Sequence, residues 1–171
     1  MRRLDRAMRP SAHPDIISHV RAHAGAGHVI LIDPDDASPD IAAQRCVAAV
    51  AAGSRLIFVG GSSNTDEDNV HSTVVAIQEA LELCKWNASQ DAGLSESDWE
   101  VPVVLFPQGA SALSNAADAI TFMMLMNSRN REFLIGEQVR GAPFIKEAGV
   151  EPMPMGYVIC APGGKAGEVG E

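Results

Sequence analysis

Apolar residues in this chain gather into short unbroken runs separated by longer amphipathic stretches. His28-Val29-Ile30-Leu31-Ile32, Arg55-Leu56-Ile57-Phe58-Val59, Pro102-Val103-Val104-Leu105-Phe106, Ala119 to Met126 and Met155-Gly156-Tyr157-Val158-Ile159-Cys160 each stop near glycine, proline, asparagine or aspartate turn signals. Such runs read as strands buried on both faces of a parallel sheet. Helices are expected between them. Residues 12 to 24 carry Ile16, Ile17 and Val20 on one face. Ser38-Pro39-Asp40 starts a helix over 39 to 52, which Gly53 ends. A longer helix over 66 to 85 puts Val70, Val74, Ile77, Leu81 and Cys84 together, with Thr65 and Asp68, or Asn64 and Glu67, as its capping pair. A short helix is expected at 112 to 116 and another at 131 to 141. The polar, aperiodic stretch from Trp86 to Glu100 reads as a surface-loop insertion in a single domain spanning 1 to 171.

This β-α order, with right-handed crossovers, makes the strands parallel and neighbouring. A doubly wound open sheet and a (β/α)8 barrel both fit, although the barrel needs about three more strands. In either architecture the strand C-terminal ends form the ligand rim. Asp33, Gly60 to Ser62, Pro107 to Ser111, Asn127 to Asn130 and Pro162 to Lys165 all fall there.

Composition narrows the function. The formal net charge of -9 argues against a nucleic-acid surface, which needs a basic stripe. Cys46, Cys84 and Cys160 lack a paired spacing and read as reduced core thiols in a cytoplasmic protein. The basic segment Met1 to Pro10 has no apolar stretch after it, so it is not a secretory signal, and no transmembrane segment is expected. Met123, Met124 and Met126 read as core packing, and His28 as a strand-start residue.

Asp33, with Asp35 and Asp36, offers oxygen ligands suited to magnesium bridged to substrate phosphates; the simpler reading of Asp35 and Asp36 is a turn leading to Ser38. Gly60-Gly61 lets backbone amides approach an anion, and the Ser62 hydroxyl can complete a metal shell; a plain tight turn fits as well. Asn127-Ser128-Arg129-Asn130 reads either as a phosphate or carboxylate clamp, or as a helix cap with Arg129 in a salt bridge.

Taken in order, His28-Val-Ile-Leu-Ile-Asp-Pro-Asp35, Val59-Gly-Gly-Ser62, Val104-Leu-Phe-Pro107, Leu125-Met-Asn-Ser-Arg-Asn130, Leu134-Ile-Gly136 and Pro154-Met-Gly-Tyr157 resemble the geranylgeranylglyceryl phosphate synthase family. The likeness continues through Pro162-Gly-Gly164. It implies the first five β/α units of a TIM-type barrel, as a truncated form. It also implies an Mg2+-dependent prenyltransferase that joins sn-glycerol 1-phosphate to geranylgeranyl diphosphate in archaeal ether-lipid synthesis. The family's metal positions match Asp33 and Ser62; beside them Asn127 and Arg129, from the clamp reading above, and Tyr157, near an apolar prenyl groove with Phe133, are the substrate-binding candidates. Two features depart from the family: Asp36 stands where a lysine is often found, and the later Tyr-Leu-Glu-Ala-Gly-Ser-Gly-like phosphate segment does not occur. Expected partners are therefore a second copy or a complementing C-terminal half. A non-catalytic half-barrel and another phosphate-binding barrel enzyme are the alternatives.

Overall fold

The computed structural model describes residues 15–23, 25, 27–61 and 65–160. Strands β1 (His28–Ile32), β2 (Ser54–Val59), β3 (Val103–Leu105), β4 (Ala119–Leu125) and β5 (Glu151–Tyr157) form one sheet in the order β1-β2-β3-β4-β5, with every pair parallel. The unreversed order is that of a β/α barrel wall, not of a doubly wound sheet. Helices α1 (Ile16–Ala22), α2 (Pro39–Ala51), α3 (Glu67–Ser89) and α4 (Glu137–Ala148) accompany it.

The two faces are covered unequally. On the outer face, Ile32, Ile57, Val59, Val103 and Leu105 pack against Ala42, Cys46 and Val50 of α2 and Val70, Val74, Ile77 and Leu81 of α3. On the inner face, among the described residues, a small cluster of Leu56, Val104 and Ala119 is closed by Ile16 of α1. Both carboxylate oxygens of Glu151 hold α1 there by accepting from the Ile16 N–H (3.2 and 3.1 Å). Beyond that plug the inner face opens. Val29 and Leu31, in register with Leu56 and Phe58, are 40% and 53% exposed. The expectation that β1 is buried on both faces is therefore corrected: among the described residues β1 is an edge strand packed on its outer side alone.

Several elements differ from the sequence pattern for local reasons. Asp66, not Thr65 or Asn64, caps α3, its carboxylate accepting from the Asn69 N–H. The helix also runs on to Ser89, and Glu96–Trp99 form a 3-10 turn, with Lys85 bound to Glu100 at 2.6 Å and Trp99 packed on the core. No helix forms at 112 to 116. There Ser114 Oγ accepts from the Ala116 N–H and bonds His71 Nδ1, while Gln78 takes the Ala116 carbonyl, so side chains capture the groups a helix would pair. The helix expected at 131 to 141 is a π-helical turn, Glu132–Gly136, running into α4. β5 starts four residues before the predicted Met155, because Pro152 and Pro154 are tolerated on an edge strand whose alternate N–H groups face away from the ladder. Cys160 is exposed and Cys84 half-buried, leaving Cys46 as the core thiol. Met124 and Met126 are likewise exposed, contrary to a core role.

Two measurements check this packing. Asp66→Ala lowers unfolding free energy by about 1 kcal/mol in urea denaturation, whereas Ser38→Ala, at a cap position that makes no side-chain bond, changes it by only a few tenths. Burial pushes the Cys46 thiol up to about 12. At about pH 8 it therefore stays protonated and resists iodoacetamide while the fold persists, whereas exposed Cys160 is alkylated; mass mapping before and after unfolding reads the difference.

Candidate functional site

A parallel sheet brings the C-terminal ends of all its strands to one rim, and three of those ends interlock. The Gly60 N–H donates to the Ile32 carbonyl (2.9 Å), and the Phe106 N–H to the Val59 carbonyl (2.8 Å), carrying the β1-β2-β3 ladder one residue past each strand. Gly60 adopts φ +150°, and a Cβ there would lie 1.9 Å from the Phe106 carbonyl oxygen. Only glycine fits this close approach.

Asp33, directly after β1, is half-buried and lies over the next glycine. A Cβ on Gly61 would fall 2.0 Å from Asp33 Oδ2, so the missing side chain is the space the carboxylate occupies. The Asp35 N–H donates to Asp33 Oδ1 (3.0 Å), leaving Oδ2 as the oxygen turned to the double glycine. Among the described residues no group of three or more His, Cys, Asp or Glu side chains is placed to hold a metal. A magnesium ion needs fewer: it is held by one or two carboxylates, with substrate phosphates and water filling its shell. The Asp33 carboxylate over a backbone with no side chain fits that demand. Ser62, its expected companion, and Pro162 to Lys165 lie outside the described residues.

A second feature arises because β3 is short. β3 and β4 pair only through Val104–Ala119 and Leu105–Ile120, while β4 runs on to Leu125. A cleft of about 460 Å³, its open mouth included, lies along the divergence, between β4, the β3–β4 connection and α4. Pro107, Leu113, Phe122, Phe133, Ile145 and Tyr157 supply much of its wall, so Phe133 and Tyr157 do share one apolar cleft. Burial raises the Tyr157 phenol above its ordinary value and keeps it protonated. Two polar residues here had no role in the sequence reading: Gln138, which belongs to the family-like pattern after Leu134-Ile-Gly136, and Glu137. Gln138 Nε2 donates to the carbonyls of Met123 and Leu134, in place of a neighbouring strand, and its Oε1 is buried without a partner. Glu137 accepts from the Ala110 N–H at 2.6 Å and pairs with Arg140, tying the β3–β4 connection to α4. Both contacts join distant segments, and no local spacing announces them.

The other candidates are placed as follows. Asn127 uses both ends of its amide on the backbone of one residue: Nδ2 donates to the Ile159 carbonyl (2.8 Å) and Oδ1 accepts from the Ile159 N–H (3.2 Å). Arg129 is exposed beside it and makes no salt bridge among the described residues. Ser128 is buried, with Oγ accepting from the Asn130 N–H.

Comparison with known proteins matches residues 18–171 to the model of the PcrB family. The chain belongs to the PcrB family. Curated relatives include the geranylgeranylglyceryl phosphate synthases of Methanococcoides burtonii, 36% identical over 157 residues (92% of this chain, 56% of that protein), and Thermococcus gammatolerans, 40% identical over 144 (84% and 50%). Among solved structures, the wild-type synthase of Thermoplasma volcanium superposes with a TM-score of 0.70 at 39% identity, covering 84% of this chain and 51% of that one. The synthase of Thermoplasma acidophilum, solved in complex with its substrate sn-glycerol 1-phosphate, gives 0.73 at 31% identity (90% and 55%). The chain thus spans about half the length of the curated relatives it matches. Its PcrB fold is a run of five successive β/α-barrel strands.

The two rim glycines differ in a testable way. Gly60→Ala sets a methyl against backbone at positive φ and lowers stability by about 1–3 kcal/mol. Gly61→Ala meets only the movable end of the Asp33 side chain and costs less, about 0.5 kcal/mol; urea midpoints of the two variants rank them.

Proposed function

We propose that this chain carries the magnesium and prenyl-diphosphate portion of a geranylgeranylglyceryl phosphate synthase. That transferase joins sn-glycerol 1-phosphate to geranylgeranyl diphosphate through an ether bond, with release of diphosphate, in membrane phospholipid synthesis. The observation that carries the reading is the Asp33 carboxylate seated on Gly61, in a chain 36–40% identical over most of its length to named synthases.

Asp33 and Ser62 are the residues that would hold magnesium, which when bound neutralises charge developing on the departing diphosphate. Around it the chain's own groups divide the work. Gly60 and Gly61 leave room for the Phe106 carbonyl and the Asp33 carboxylate to close on the corner, which holds the carboxylate at the rim. The apolar cleft between β3 and β4 takes the prenyl chain, with Phe133 and the protonated Tyr157 as walls. Arg129 is available for a phosphate, and Asn127 steadies the same rim through the Ile159 backbone. Unpaired Cys46, Cys84 and Cys160 support a reducing, cytoplasmic setting. The uncovered Val29 and Leu31 support completion of the sheet by further β/α units, whether from the same polypeptide, a complementing half or a second copy.

Incubation with magnesium, sn-glycerol 1-phosphate and geranylgeranyl diphosphate tests the reading. Ether product is expected, lost on chelation and reduced about 100-fold or more by Asp33→Asn. Absence of product, both alone and with the C-terminal half of a related barrel supplied, overturns it.

A further inference from the structure

We propose that Asp35 is a positioning residue for the metal-holding carboxylate of Asp33, a crosspiece that fixes both sides of the rim corner at once; this rests on the magnesium reading above. The sequence pattern assigns Asp35 to a plain turn, but its bonds reach well beyond that turn. Its backbone N–H donates to Asp33 Oδ1 (3.0 Å). Its side chain accepts from two residues some thirty positions on: Oδ2 from the Thr65 hydroxyl (2.8 Å) and Oδ1 from Asn69 Nδ2 (3.0 Å). Asn69 Nδ2 also donates to the Pro34 carbonyl (3.1 Å), and its own N–H is held by the Asp66 cap.

Ser62 lies in the chain between Gly61, which touches Asp33, and Thr65, which is 6% exposed and bonded to Asp35. The same turn after β1 therefore holds the residues flanking the Ser62 segment on both sides. Both Asp35 oxygens accept from Thr65 and Asn69, so the side chain is committed to bridging the two turns and its action on Asp33 is indirect. Removing a group that orients a ligating side chain typically costs about 10–100-fold in metal affinity.

The test is binding of Mn2+, a paramagnetic stand-in for magnesium, to the full chain, read by electron spin resonance alongside thermal unfolding. Asp35→Ala is expected to weaken Mn2+ binding about tenfold or more. Thr65→Val is expected to weaken it less, and Thr65→Ser, which keeps the hydroxyl donor, to leave it unchanged. Should the alanine variant fail to fold, the Val and Ser pair carries the same test. Wild-type affinity in Asp35→Ala or, where that variant does not fold, in Thr65→Val overturns the crosspiece while leaving the magnesium reading intact. An equal loss in the Ser and Val variants also overturns it. Failure of the wild-type chain to bind Mn2+ overturns the magnesium reading, and the crosspiece with it.

Discussion

The contact between the Gly60 backbone and the Phe106 carbonyl sets the geometry of the whole rim. Two peptide chains meet there at a separation that a single methyl would prevent, and the ladder bonds from Gly60 to Ile32 and from Phe106 to Val59 align three strand ends. Once those ends are level, the residue after β1 has one place to go. The Asp33 carboxylate settles into the space left by the next glycine, and the turn that follows reaches across to Thr65 and Asn69. The position of the acid is thus a consequence of backbone packing rather than of its own side-chain preferences.

The cleft has the opposite origin: it exists because packing is incomplete. A β/α unit normally lays a helix over each crossover, but the connection from β3 to β4 is made of turns whose polar side chains take the backbone groups a helix would have used. On its β3 side β4 is left unpaired along its last residues, although β5 pairs it to the end, and Gln138 satisfies part of that side. A fold that fails to bury its own surface at one point gains an apolar recess next to its anion-facing corner.

How much of this was legible in the residues follows from the range of the interactions involved. The five strands and the placing of Asp33 at a strand end were readable, since unbroken aliphatic runs and their glycine or aspartate stops are local signals. The helix start at Pro39 and its end at Gly53 were equally local. The errors arose where a partner decides. Val29 and Leu31 look like core residues in any window, and only the absence of cover on the inner face exposes them. Pro152 and Pro154 argue against a strand until β5 proves to be an edge. Asp35 reads as a turn residue because Thr65 and Asn69 lie thirty positions away. The likeness to a known family recovered much of what local patterning could not, since Asp33 and the double glycine sit far apart in the sequence.

The clasp between Glu151 and the Ile16 N–H bears on the order in which the molecule assembles. Every strand pairs with its neighbour in sequence, so the sheet is built from contacts of moderate separation and can grow one unit at a time. The clasp alone joins residues 135 positions apart. The anchoring of α1 through Glu151 must therefore wait until β5 exists, whereas its other hold, from the His19 ring to the Arg55 carbonyl of β2, needs only the early strands. The Glu151 clasp is thus a late addition that locks α1 over the inner-face cluster of Leu56, Val104 and Ala119 once the fifth strand is in place.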